Sequence, residues 1–169
     1  MATASRAGAS FPTSERDAAA PAPEAVTPKL AGAVEAKDLV VPAGLEFAGH
    51  DADLSGSAHT YSDYAVGEKI DHVDGMTVEE AEHQIATRLY QNTAKVHFDA
   101  VAQISSRFGK RLIYGGVAIS TARALAFNGL ANAAYMLAIN AGRHVNPLFA
   151  GDTVYAWSEV LDRAELSPK

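Results

Sequence analysis

Apolar and polar residues alternate most cleanly late in the sequence, where Val154, Ala156, Ser158 and Val160 fall on one side and Tyr155, Trp157, Glu159 and Leu161 on the other. A period of two marks a half-covered strand, expected over residues 152–161, with Gly151-Asp152 as the turn before it. Two more strands are expected, over residues 69–73, entered through a short segment with Tyr61 and Tyr64, and over residues 133–140. Between them the period becomes helical. Thr77-Val-Glu-Glu80 fits a capping box, and Val78, Ala81, Ile85 and Leu89 recur on one face, which predicts an amphipathic helix over 77–91. Residues 116–128 are apolar around nearly the whole circumference apart from Arg123, so this helix is expected to be buried on most sides and to stop at Gly129. The strands must wrap it. The pattern therefore implies an α+β domain in which a curved antiparallel sheet surrounds a central apolar helix.

The region before Tyr61 reads differently. Residues 1–38 hold twelve alanines and four prolines, the composition of an extended linker. An N-terminus with Ala, Ser and Arg also hints at a transit peptide, which Glu15, Asp17 and Glu24 oppose. Residues 39–60 are irregular, with Pro42, Gly44, Gly49 and Gly56, so the expected division is a linker and lead-in over 1–60 and one domain over 61–169. A chain of 169 residues, 48% apolar and 20% charged, suits a single core.

Charge and cysteine content narrow the function. A net charge of −6 and the lack of a basic stripe argue against nucleic acid as a partner; Lys110-Arg111 is the lone adjacent basic pair, more typical of a solvated loop than of a phosphate contact. Without cysteine there is no disulfide framework or thiolate metal site, which fits a reducing cytoplasm. No apolar run approaches the roughly 18 residues a membrane span needs.

Two stretches carry candidate chemistry. Residues 91–99 bring Asn92, His97 and Asp99 into one short non-periodic segment, and histidine is the side chain best suited to move a proton near neutral pH. Tyr114-Gly115-Gly116 opens the apolar helix; glycines there let a ligand approach free backbone amides, although a tight turn is the more common reason for such glycines. Among the other histidines, His50 and His59 lie in irregular sequence, His72 and His83 are expected at the surface, and His144 beside Asn146-Pro147 reads as turn structure. No histidine pair has metal-ligand spacing with acidic support, so no metal and no cofactor are expected.

Asn92 to His97, followed eighteen residues later by Gly115, resembles the signature of the MaoC-type hot-dog enoyl-CoA hydratases, in which Asp-x-Asn-Pro-x-His precedes a glycine-bearing start of the central helix. Asn146-Pro-Leu-Phe-Ala-Gly-Asp152 resembles the Pro-x-x-x-Gly-Asp entry to a long strand in that family. Residues 66–83, 91–98 and 151–159 look closer still to the second half of the mesaconyl-CoA hydratases, tandem proteins with two hot-dog units per chain. The resemblance covers about residues 61–161. It implies a hot-dog fold, incomplete at the C-terminus because further strands should follow residues 152–161. It also implies reversible hydration of an enoyl-CoA, with mesaconyl-CoA and β-methylmalyl-CoA as the most specific pair, in a homodimer or in pairing with another hot-dog unit.

Residue by residue, the resemblance makes His97 the base and the Gly115 or Gly116 amide the donor to the thioester oxygen. Asn92 stands where many relatives carry an acid, so it could only orient water, and Asp99 is an alternative proton carrier. Tyr114 and Val117 would face substrate, Val117 where close relatives are expected to carry histidine. Arg107, Lys110, Arg111 and Arg123 are the cations available for a substrate carboxylate, Arg111 being put forward. The competing functions are a non-catalytic remnant that binds acyl-CoA or a partner subunit, and a thioesterase of the same fold.

Overall fold

In the computed structural model, which describes residues 32–166, the alternating stretch becomes strand β2 (Thr153–Glu159). Val154, Ala156 and Ser158 are half-buried, and Thr153, Tyr155, Trp157 and Glu159 face outward. It pairs antiparallel with β1 (Lys69–Thr77), from Lys69↔Glu159 through Asp71↔Trp157 to Thr77↔Thr153. The register shifts between Asp71 and Gly75, where Val73 sits at φ +61° with its amide bonded to Asp71 Oδ1.

β1 runs four residues past the expected strand, and this displaces the helix start. Thr77 is the last ladder residue, its hydroxyl 2.8 Å from that of Thr153, so it is not free to cap. The cap moves to Glu79, whose amide donates to the Glu82 carboxylate. Four short helices flank the two long ones: α1 (Ala52–Ser55), α3 (Lys95–Phe98), α4 (Ala100–Gln103) and α6 (Phe127–Leu130). The long ones are α2 (Glu80–Leu89) and α5 (Gly115–Leu125). In α2 the buried residues are His83, Gln84 and Thr87, whereas Ile85 and Leu89 of the expected apolar face are 56% and 72% exposed. The inward face is polar because its groups bond the backbone of neighbouring segments.

α5 packs against both strands with Val117, Thr121 and Leu125 turned inward. Its burial is narrower than the sequence suggests: Ile119 is half exposed, because the two-stranded sheet covers one side. The helix breaks at Asn128 and Gly129, the latter at φ +101°. A Cβ on Gly129 would fall 2.7 Å from Ile70 Cγ2, so both the backbone angle and the approach of β1 call for glycine. The expected strand at 133–140 is absent. Those residues make no ladder, and Tyr135, Met136 and Ile139 are more than half exposed; apolar content without a partner strand does not make a strand.

The core is small, with Val78, Ile113 and Val117 at its centre and Ala86, Leu148, Ala150 and Val154 around them. His72 and His83 belong inside, not at the surface: both are fully buried. His72 bridges the sheet to the α5–α6 break, one ring nitrogen on Asn128 O and the other 2.8 Å from Ser158 Oγ. The lead-in is held by a reciprocal pair between Val34 and the Asn140 amide, and by Asn132 Nδ2 on the carbonyls of Ser57 and His59. Residues 1–31, the larger part of the expected linker, lie outside the described residues. No helix among the described residues is long and apolar enough to cross a membrane.

Candidate active site

The segment after α2 is shaped by two short-range side-chain bonds. Asn92 Oδ1 accepts the Ala94 amide and starts the turn into α3, and Asp99 Oδ1 accepts the Ala102 amide and starts α4. His97 lies in α3, half-buried. Its Nδ1 is 3.0 Å from Leu112 O. A carbonyl can only accept, so Nδ1 carries the proton and the neutral ring leaves Nε2 with its lone pair. The Leu112 amide returns a bond to Val96 O, which ties the two segments together.

His83 and Gln84 hold His97 from behind. His83 Nε2 and Gln84 Nε2 both donate to His97 O at 2.9 Å, and His83 Nδ1 accepts the Tyr114 amide at 3.1 Å. One buried imidazole thus links α2, the turn carrying His97 and the residue preceding α5. Burial pushes the His83 pKa below the ordinary histidine range, against the opposing pull of the His97 carbonyl bond.

The first amides of α5 have no acceptor within the helix, as at any helix start. Tyr114 N–H is bonded to His83, which leaves those of Gly115 and Gly116. His97, Tyr114, Gly115, Gly116 and His144 all line one cavity of about 410 Å³, floored by Ile113 and Leu148. The Tyr114 ring lies against Gly116, where a Cβ would be 2.8 Å from Tyr114 Cε1, and its centroid is 5.8 Å from that of His97.

The other candidates lie elsewhere. Asn92 lines a separate cavity with Gln84, Thr87 and Phe98. Arg111 is paired with Glu80 and donates to Phe98 O. Val117 is buried in the core and lines a third cavity with Gly116 and Met76. Lys110 sits over the Phe149 ring at 4.1 Å, and Arg123 donates to Ala133 O. The neighbours that sequence reasoning missed are His83, Gln84 and His144. The spacing of 83, 84 and 87 puts three polar residues on one helical face, a signal of buried pairing; His144 had no signal beyond its place ahead of the Gly151 turn.

The arrangement is α+β: a helix with a glycine-opened N-terminus is laid on an antiparallel sheet, with a histidine turn at its mouth. The solved structure of a MaoC domain protein dehydratase from Chloroflexus aurantiacus J-10-fl matches it with a TM-score of 0.75 at 58% identity, over 87% of this chain and 42% of that one. In sequence, the chain is homologous to the mesaconyl-CoA hydratase of Cereibacter sphaeroides, 65% identical over 151 residues, 89% of this chain and 43% of the relative. It is also homologous to the β-methylmalyl-CoA dehydratase of Chloroflexus aurantiacus, 58% identical over 147 residues, 87% of this chain and 42% of the relative. The chain spans less than half the length of these relatives. No family model matches it.

Proposed function

We propose that this chain supplies the reaction centre of a hydro-lyase that reversibly adds water to an enoyl-CoA, with mesaconyl-CoA and β-methylmalyl-CoA as the substrate pair. The observation that carries the reading is that His97, its Nδ1 engaged by the Leu112 carbonyl, borders the same cavity as Gly115 and Gly116. In the hydration direction Nε2 takes a proton from water as its oxygen attacks C3. The C2=C3 electrons move toward the thioester, and its oxygen gains charge where the Gly115 and Gly116 amides point. One such donor is worth about 3 kcal/mol of barrier. Collapse of the enolate then draws a proton to C2, and the His97 imidazolium can return the one it took.

Asn92 and Asp99 do not border this cavity, and the Oδ1 of each is engaged in a local turn, so in this reading His97 carries both transfers. The outward Tyr155 and Trp157 of β2, 70% and 65% exposed, support pairing through the sheet with a second copy or another hot-dog unit. In this reading residues 61–169 form the hot-dog unit, residues 1–60 are a linker and lead-in to it, and the lack of cysteine suits the cytoplasm.

The test follows loss of the conjugated enoyl-thioester absorbance of mesaconyl-CoA. His97→Ala is expected to slow hydration about 10²- to 10⁴-fold, the usual contribution of a general base. Equal rates in variant and wild type would remove His97 from the mechanism. Release of free CoA in place of hydrated product would make the protein a thioesterase.

A further inference from the structure

We infer that His144 is a third hydrogen-bond donor to the substrate's thioester oxygen, beside the Gly115 and Gly116 amides; the inference rests on the hydratase reading of this cavity. A Cβ built on Gly115 would fall 2.5 Å from His144 Nε2 and 2.8 Å from Cε1, so the imidazole lies directly against the Gly115 backbone. The ring lines the cavity that His97 borders. No group among the described residues is hydrogen-bonded to either ring nitrogen of His144, whereas His72, His83 and His97 are each bonded through at least one.

The contact explains the glycine better than backbone freedom does. Gly115 is not among the residues at positive φ, so its angles suit any side chain. What excludes a side chain is the space taken by the imidazole. Tyr114 occupies the other flank in the same way, its ring against Gly116. Each glycine of the pair thus has an aromatic ring where its side chain would stand. A neutral imidazole keeps one N–H in either tautomer, and as the Nε2–H form His144 presents it beside Gly115. The thioester oxygen is the acceptor the reaction brings to that place, and it becomes a stronger acceptor as the enolate forms. With Asn92 in another cavity, Tyr114, His144 and Asn146 are the polar side chains beside His97 that line this one, and of these His144 is the one set against Gly115.

The test compares His144→Ala with His144→Gln, whose amide restores an N–H donor without a titrating group. Hydration of mesaconyl-CoA is measured together with the isotope-edited infrared C=O stretch of bound succinyl-CoA, a saturated thioester that cannot react. In wild type the carbonyl band is expected to move to lower frequency on binding. H144A is expected to lose about 10²- to 10³-fold in kcat with little change in KM, and to return the band toward its position in water. H144Q is expected to recover most of both, and thermal unfolding should be unchanged, because the ring makes no bond within the fold. An H144A variant with wild-type kcat and an unmoved band overturns the assignment, as does an H144Q variant as impaired as H144A. The two readings fail separately. A wild-type chain that polarises the bound carbonyl but hydrates nothing refutes the hydratase and keeps the donor, while active hydration with a band indifferent to residue 144 does the reverse.

Discussion

His83 shows how one side chain can organise a site it does not enter. Both ring nitrogens are used, one donating to His97 O and the other accepting from Tyr114 N–H, and only a neutral imidazole can do both at once. Protonation removes the acceptor and leaves the buried Tyr114 amide facing an N–H. The folded pKa lies below the ordinary value of 6.5, so below about pH 6.5 the unfolded chain binds a proton that the folded chain resists. The stability His83 contributes is complete above that pH and is lost as pH falls through the folded value. Urea unfolding between pH 8 and pH 5 should show this slope in wild type and a shallower one in His83→Gln; identical slopes would show that the link is not pH-sensitive. His97 stood out in the sequence as a candidate because proton transfer singles out histidine by type. The role of His83 was not, since its partners lie 14 and 31 residues away in sequence.

At the scale of elements, β2 and the opening of α5 were legible because each declares itself within one segment, by a period of two and by a glycine pair. β1 was read short because its bulge breaks the alternation. Val73, a β-branched residue at φ +61°, occupies a region such side chains avoid, at a cost of about 1 to 3 kcal/mol. It is 75% exposed, so its side chain contributes little burial in return. Asparagine tolerates this conformation, and Val73→Asn is expected to stabilise the fold by about 1 kcal/mol, read as a higher urea midpoint at unchanged slope; a lower midpoint would mean that the valine packs against something. The strand expected at 133–140 failed for a different reason. A strand is a property of two segments, and no part of residues 133–140 tells whether a neighbour will be present.

For the molecule as a whole, the apolar residues left uncovered matter more than those in the core. Tyr155 and Trp157 stand on the outer face of the sheet, while Ile85, Leu89 and Tyr90 are exposed on and just after α2. Large exposed apolar groups mark surfaces that meet something else. If the sheet pairs with a second copy, sedimentation velocity of the wild-type chain should show concentration-dependent association across the micromolar range, and the double variant Tyr155→Lys/Trp157→Lys should sediment as a monomer. A wild type that is monomeric throughout would remove pairing with itself. The sequence could not show this surface, because alternation tells which residues share a face but not which face is covered.

The pairing of β1 with β2 has a consequence for the order of events in the cell. Thr77 and Thr153 close the sheet across 76 positions, and Val34 and Asn140 clasp the lead-in across 106. At roughly 5 to 20 residues per second of translation, β1 leaves the ribosome on the order of 4 to 15 s before its partner exists. For that interval Ile70 and His72 lack their β2 partner, and Val78 has at most the Ile113 and Val117 side of its packing, so slower elongation is expected to lengthen the exposure that chaperones must cover.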